Sequence, residues 1–377
     1  MRIIIACAGT AGHITPGIAI ANIVRKNSPD SEILFIGTKL GLENDIVKKA
    51  GYKLCHVRTG KLIRKLTLEN VKAMYNAYVG IADAKKIIEE FKPDLVIGTG
   101  GYIAGPVMLA ARKCKVPYIL HESNAYPGLA VKLLAKDAAC VMVGFKEAIP
   151  RIKSKNVVFT GTPSRFSQAD IIKLDKIECK KNLGIPENII NSKIPIVLVT
   201  GGSQGAKKIN NVILNMLAIK RPQNFFVVMA TGKKNYEYTL KELEALELEN
   251  KISLKNNIKL IDYIYSMEEA YVAADLVVAR SGAMTVIEHM VASKPSILIP
   301  FPYATENHQL YNAKVLEEAN AAKIIIESEL THFKIYETIK GLIDNKETLA
   351  NMAKNAGSKC KDDVSLLIYK HIKESLK

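Results

Sequence analysis

Tryptophan is absent from the 377 residues, and aromatic side chains make up only 6% of them. Stacking platforms for single-stranded nucleic acid need aromatics interleaved with basic residues, and that composition supports them poorly. No run of about 18 apolar residues occurs, so no bilayer-spanning helix is expected. Met1–Cys7 reads as a short strand, so no signal peptide is expected either. Cysteine is sparse and scattered, at Cys7, Cys55, Cys114, Cys140, Cys179 and Cys360. No CxxC pair is present and no histidines cluster beside the thiols, which argues against a zinc site and against a disulfide framework. Cys7 and Cys140 lie in apolar runs and read as small core residues in a reduced, cytosolic compartment. Two phosphate signatures are missing: there is no GxxxxGK[ST] and no complete GxGxxG after a strand. The second strand ends at Gly37-Thr38, where a NAD-binding fold needs a ribose carboxylate, so a dehydrogenase is disfavoured. No two aspartates stand at i, i+2, so an Asp-x-Asp metal clamp is missing too. Neither a metal nor a cofactor is expected. The charge of a bound diphosphate would have to be met by helix N-termini, hydroxyls and arginine.

Acidic residues are in deficit, and unevenly so. The net charge is +16, and residues 1–163 hold 24 Lys and Arg against 12 Asp and Glu. The remaining residues hold 29 against 25. A one-sided basic half suits an anionic partner: nucleic acid, an acidic membrane surface or a phosphorylated substrate. The segment Arg58–Lys72 carries five basic residues, one acid and several aliphatics. Its centre, Lys61, Leu62, Ile63, Arg64, Lys65 and Leu66, has the mixture that lies on anionic lipid. A loop leading into a solvated helix would have the same composition.

What is present is a repeated pattern. Arg2–Ala8 is an all-apolar strand of the kind buried on both faces of a parallel sheet. A glycine turn, Gly9–Gly12, and a helix from about Thr15 to Lys26 follow, with Pro16 suited to the helix's first turn. Strands at 33–36, 94–97, 118–121 and 138–143 continue the alternation. Ile194–Thr200 restarts it with Gly201–Gly205 and a second helix, and strands follow at 225–229, 258–261, 276–279 and 296–299. Strand, turn and helix recurring in two halves indicate two doubly wound α/β domains. The spacing places them at 1–163 and 164–354, with a terminal helix at about 355–377 packing back on the first.

Sheets of this kind bind ligands beyond the carboxyl ends of their strands. Four glycine turns fall there: Gly9–Gly12, Gly98–Gly101, Gly201–Gly205 and Ser281-Gly282. Arg280–Glu288 joins one such turn to a helix start, and Glu288 could hold both hydroxyls of a ribose. Asn307-His308-Gln309 offers amide and imidazole groups suited to sugar hydroxyls. His13, at a turn before a helix, would stay neutral and could accept a hydroxyl proton. Glu122 and Asn124 end another strand at the same edge.

The segments AGTAGHITPG (8–17), GTGGYIAGP (98–106), HESNAYPGLA (121–130), TGTPSR (160–165), VTGGSQGAKKIN (199–210), RSGAMTVIE (280–288) and PFPYATENHQLYNA (300–313) together resemble the MurG family of peptidoglycan N-acetylglucosaminyltransferases. The resemblance spans nearly the whole chain. In the first loop Ala8 and Ala11 replace two glycines of the familiar GGTGGH. The resemblance implies a GT-B fold, two Rossmann-like domains with a cleft between them. It implies inverting transfer of GlcNAc from UDP-GlcNAc to an undecaprenyl-diphospho-MurNAc-pentapeptide, with an oxocarbenium-like transition state. On that basis Glu288 holds the ribose and the Ile264 backbone meets the uracil. Ser203, Arg165 and the helix start with Ala283, Met284 and Thr285 hold the diphosphate. Gln309, Ala283 and Asn124 contact GlcNAc with His308 beside them, and Arg280 supports the site. Thr10 and His13 face the acceptor, and Ala11 and Gly12 join them as substrate-binding residues. His13 or Glu122 is the general base. The resemblance also implies a peripheral place on the cytoplasmic side of the cell membrane, with other cell-wall synthesis proteins as neighbours and no nucleic acid as partner.

Overall fold

The computed structural model describes residues 1–60, 68–202, 204–219 and 221–376, with the side chains of 68–74 outside that description. The expected membrane segment Lys61–Leu66 lies outside the described residues. The chain forms two compact units, Met1–Arg165 with Lys361–Lys377, and Phe166–Cys360.

The first unit is built on seven strands: β1 (Arg2–Cys7), β2 (Glu32–Gly37), β3 (Lys53–His56), β4 (Leu95–Gly100), β5 (Tyr118–Glu122), β6 (Cys140–Val143) and β7 (Val157–Phe159). They run parallel in the order β3-β2-β1-β4-β5-β6-β7. The alternation of β1 explains the layering. Ile4 and Ala6 join one buried cluster, and Ile3, Ile5 and Cys7 join the other. Successive side chains leave opposite faces of a strand, so an all-apolar strand is the one that can be covered on both. The strand order reverses direction between β1 and β4, and such a switch point opens a crevice beyond the strands' carboxyl ends.

The second unit has six strands: β8 (Ile196–Thr200), β9 (Phe226–Ala230), β10 (Ile258–Ile261), β11 (Leu276–Ala279), β12 (Ser296–Leu298) and β13 (Ala322–Ile324). Their order is β10-β9-β8-β11-β12-β13, again parallel, with the switch point between β8 and β11. The strands that the apolar pattern misses are β3, β7 and β13. All three are sheet edges, half-exposed and short, so they carry no continuous apolar run.

The tail holds two helices, and the returning one starts later than the expected 355. One helix, Lys346–Ser358, stays with the second unit, where Met352 enters its core. The return to the first unit comes later, with the helix Val364–Glu374, whose Ile368 and Ile372 enter the cluster of Ile3 and Ile5. Tyr369 adds a hydroxyl contact of 2.6 Å to Ser28. Among the described residues no helix is long and apolar enough to cross a membrane.

Ile368 has no exposed surface. Ile368→Ala should therefore cost the first unit about 2–4 kcal/mol through lost burial and an unfilled cavity. Hydrogen exchange checks this: protection of the β1 amides should fall by the corresponding factor, while that of β8 stays unchanged.

Candidate active site

In the first unit the turn after β1 leads into the helix that holds His13. The helix Ala11–Asn27 begins at Ala11, four residues before the expected start, with Thr10 extended at its N-cap (φ −107°, ψ 158°). His13 therefore belongs to the first helical turn, and its N–H donates to the Thr10 carbonyl at 3.0 Å. Pro16 falls in the second turn, not the first. Lacking an N–H, it cannot donate to the Gly12 carbonyl as a helix residue would. From the neighbouring strand the Thr99 hydroxyl donates to the His13 carbonyl at 2.7 Å. Gly100 has φ +114°, and a Cβ there would sit 2.4 Å from His13 Nδ1. Only glycine lets the end of β4 pass that close to the imidazole.

Glu122, at the end of β5, is buried. Its Oε1 accepts from the Asn124 N–H and from Asn124 Nδ2, both at 2.9 Å. Its Oε2 accepts from the Gly128 N–H at 2.8 Å. Burial pushes its carboxyl up from the ordinary value, and these hydrogen bonds together with Lys132 pull back. The carboxylate thus ties the loop 122–128 into one turn. Strands β1 and β5 are separated by β4, so their backbones lie about 10 Å apart.

In the second unit the helix Ala283–Val291 starts directly after β11, with Gly282 extended at its N-cap (φ −61°, ψ 149°). The amides of Ala283, Met284 and Thr285 precede the first intrahelical acceptors, as at any helix start. That end of the helix carries the positive pole of its dipole and suits a phosphate. Glu288 is buried one and a half turns in, and its Oε2 accepts from the Tyr271 hydroxyl at 3.0 Å. Arg280 is also buried. Its Nη1 donates to the carbonyls of Ile299 (3.1 Å) and Pro300 (3.3 Å), and its Nη2 pairs with Glu327. The guanidinium lies 5.3 Å from the centre of the Phe301 ring. Arg280 therefore holds the loop after β12 in place.

That loop leads to the helix His308–Glu318 through Glu306 and Asn307, two successive non-glycine residues at φ 54° and 53°. Such residues each cost about 1–2 kcal/mol and persist where surrounding contacts fix them. Gln309 is one of those contacts, its Oε1 accepting from the Phe301 N–H at 3.0 Å. His308 Nδ1 lies 2.7 Å from the Thr305 carbonyl. A carbonyl can only accept, so Nδ1 holds the proton and Nε2 is the acceptor in the neutral ring. Burial holds its pKa below the ordinary histidine value. Ile264, buried just past β10, lines a cavity of about 770 Å³ with Leu183, Tyr236, Lys259, Tyr263 and Tyr265.

The structure brings Thr10, Ala11, Gly12, His13, Glu122 and Asn124 to the carboxyl edge of the first sheet. Arg280, Ala283, Met284, Thr285, Glu288, His308, Gln309 and Ile264 reach the corresponding edge of the second. Arg165 is exposed at the end of the first unit, and Ser203 lies outside the described residues. Sequence reasoning missed two supporting residues. Tyr271, on the helix Met267–Ala273, orients Glu288. Glu43 is fully buried beside the first loop. Its signal lay in LGLEND, a carboxylate soon after the second strand. Among the described residues no cluster of three or more His, Cys, Asp or Glu could hold a metal.

Two open parallel sheets, each with glycine turns and a helix start at its switch point, define a GT-B glycosyltransferase fold. The family model described as the glycosyltransferase family 28 N-terminal domain matches residues 3–143, and the C-terminal domain model matches 196–367. Among curated relatives, one from Thermoanaerobacter sp. (strain X514) is 42% identical over 374 residues, 99% of each chain. One from Acetivibrio thermocellus is 41% identical over 381 residues, covering 100% of this chain and 99% of its own. Both are named UDP-N-acetylglucosamine–N-acetylmuramyl-(pentapeptide) pyrophosphoryl-undecaprenol N-acetylglucosamine transferase. The crystal structure of Acinetobacter baumannii MurG superposes with a TM-score of 0.77 at 27% identity over 99% of both chains. A UDP-GlcNAc 2-epimerase from Neisseria meningitidis shares the fold, with a TM-score of 0.66 at 17% identity over 99% of this chain and 100% of its own. The chain belongs to glycosyltransferase family 28 and, within it, to the MurG family.

His289, next to Glu288, is wholly buried, and neither ring nitrogen has a hydrogen-bond partner among the described residues. The Tyr271 ring meets it edge-on at 5.5 Å. Burial pushes its pKa from 6.5 down to about 3. Below the ordinary value the unfolded chain binds the extra proton, so stability is fully present above about pH 6.5 and is lost as pH falls toward 3. One such proton contributes a slope of about 1.4 kcal/mol per pH unit. Melting of His289→Leu should therefore decline less steeply than wild type between about pH 6 and pH 4. Parallel declines would contradict the burial account.

Proposed function

We propose that this protein transfers N-acetylglucosamine from UDP-GlcNAc to the 4-hydroxyl of the MurNAc in undecaprenyl-diphospho-MurNAc-pentapeptide, with inversion at the anomeric carbon. The observation that carries the proposal is 42% identity over 99% of both chains to a relative bearing that transferase name. The second unit takes the donor. Glu288 accepts from the ribose hydroxyls, held in orientation by Tyr271. The Ile264 backbone meets the uracil. The start of the helix at Ala283, Met284 and Thr285, with Ser203 and Arg165, receives the diphosphate without a metal. On this reading Gln309, Ala283 and Asn124 contact the GlcNAc, with His308 beside them.

The first unit takes the acceptor at Thr10–His13. His13 is the general base we favour. Glu122 already accepts three hydrogen bonds from its own loop, so its carboxylate is committed to holding that turn. The polyprenyl tail of the acceptor requires approach to the cytoplasmic face of the membrane. The basic surplus of residues 1–163 and the segment around Lys61–Leu66 supply the attraction, at about 1 kcal/mol per basic residue near anionic lipid.

The test is UDP release in EDTA, with and without a short-chain MurNAc-pentapeptide diphosphate lipid. Release that depends on the acceptor and yields a disaccharide is expected. Acceptor-independent release, or none despite UDP-GlcNAc binding, would overturn the assigned acceptor. In the same assay Glu288→Ala should raise the KM for UDP-GlcNAc on the order of 10–100-fold, the equivalent of a lost charged hydrogen-bond pair.

A further inference from the structure

The fully buried carboxylate of Glu43 has no part in the roles assigned above. Its Oε1 accepts from the Thr38 N–H at 2.8 Å and from the Thr38 hydroxyl at 2.6 Å. Its Oε2 accepts from the Gly9 N–H at 3.3 Å. The side chain thus joins the loop after β2 to the loop after β1, beyond the carboxyl ends of two adjacent parallel strands. The backbone is shaped around it. A Cβ on Gly41 would lie 2.1 Å from Oε2, and one on Gly37 would lie 2.6 Å from Cγ. Both positions leave room only for the carboxylate. In dinucleotide-binding sheets the end of the second strand presents a carboxylate outward to a ribose, and the first glycine turn faces the pyrophosphate. Here the carboxylate comes from six residues beyond the strand's last residue, turns inward, and occupies the Gly9 amide.

We infer that Glu43 is a positioning residue for glycosyl transfer. It acts as an internal anion that fills the space between the loops after β1 and β2 and fixes the loop Gly9–Gly12 so that His13 meets the acceptor hydroxyl. Two supports then bracket the loop: Glu43 at Gly9, and Thr99 at the His13 carbonyl. A charged acceptor of this kind is stronger than a neutral one and leaves its donors little freedom. The inference rests on the reading of His13 as base, and it makes kcat, not donor affinity, depend on Glu43.

The test compares Glu43→Gln, Gly41→Ala and His13→Ala in full-length protein. Steady-state kinetics use UDP-GlcNAc and a short-chain acceptor, alongside UDP titration and melting temperatures. Glu43→Gln keeps the shape but turns a donor group toward donors. Gly41→Ala leaves the carboxylate intact and pushes it out of its seat. Both should lower kcat at least tenfold, the scale of a loop misplaced by a fraction of an ångström. UDP affinity and the KM for UDP-GlcNAc should stay within about twofold, because the binding of uniform contacts is untouched. Wild-type kcat in both variants while His13→Ala is inactive would overturn the positioning role alone. Loss of kcat and UDP affinity together, in step with melting temperature, would reduce Glu43 to a stability role and equally overturn it. Wild-type kcat in His13→Ala would overturn the base assignment, and the inference with it.

Discussion

Both faces of a parallel sheet are covered by helices, so the peptide groups and side chains free to meet a ligand are those past the strands' carboxyl ends. That constraint orders everything else in this chain. It demands all-apolar strands such as β1 and β8, whose residues from Ile3 to Cys7 and from Ile196 to Val199 are buried almost completely. It concentrates glycine where strand becomes helix. It also means that one edge of each sheet carries all the polar residues the chemistry needs. The two edges are built differently. The first seats His13, its backbone held by the Thr10 carbonyl and the Thr99 hydroxyl and its ring against Gly100. The second presents a helix start and a buried carboxylate.

The burial of Glu288, Arg280, Glu122 and Glu43 follows from the same economy. Each charged group is paired or hydrogen-bonded within its own unit, as a buried charge must be. Arg280 binds two carbonyls and Glu327, Glu122 binds its own turn, and Glu43 binds two loops. What these groups do is hold backbone. Each loop is fixed by a charge, and the candidate site residues lie on or beside those loops. Preorganisation of this kind suits a reaction whose charged leaving group is met by fixed dipoles.

Much of this was legible in the sequence. The strands that form sheet centres announce themselves as apolar runs, and the turns at Gly9, Gly201 and Ser281 fall where the fold puts its edges, whereas Gly98–Gly100 continue β4 and the chain leaves the strand only at Gly101. The edge strands β3, β7 and β13 were not legible, because a half-exposed strand of three or four residues has no pattern to distinguish it from a loop. The start of the first helix was misplaced because Gly12 and Pro16 read as turn and first-turn residues, whereas both are helical. The supports were harder still. Tyr271 reaches Glu288 across 17 positions and Glu43 reaches Gly9 across 34. Separations of that size have no local periodicity, and only the fold brings the pairs together. The returning helix starts at Val364, later than the expected 355, because a helix of the second unit, Lys346–Ser358, runs past that position.

The central claim is inverting transfer from a nucleotide sugar by a base on the first unit's loop. The most direct measurement is the anomeric configuration of the product. Proton NMR of the disaccharide made from UDP-GlcNAc, whose sugar is α-linked to UDP, should show a β-linked GlcNAc on the MurNAc 4-oxygen. An α-linkage would require two displacements and a nucleophile that the first loop does not offer, and would contradict the account.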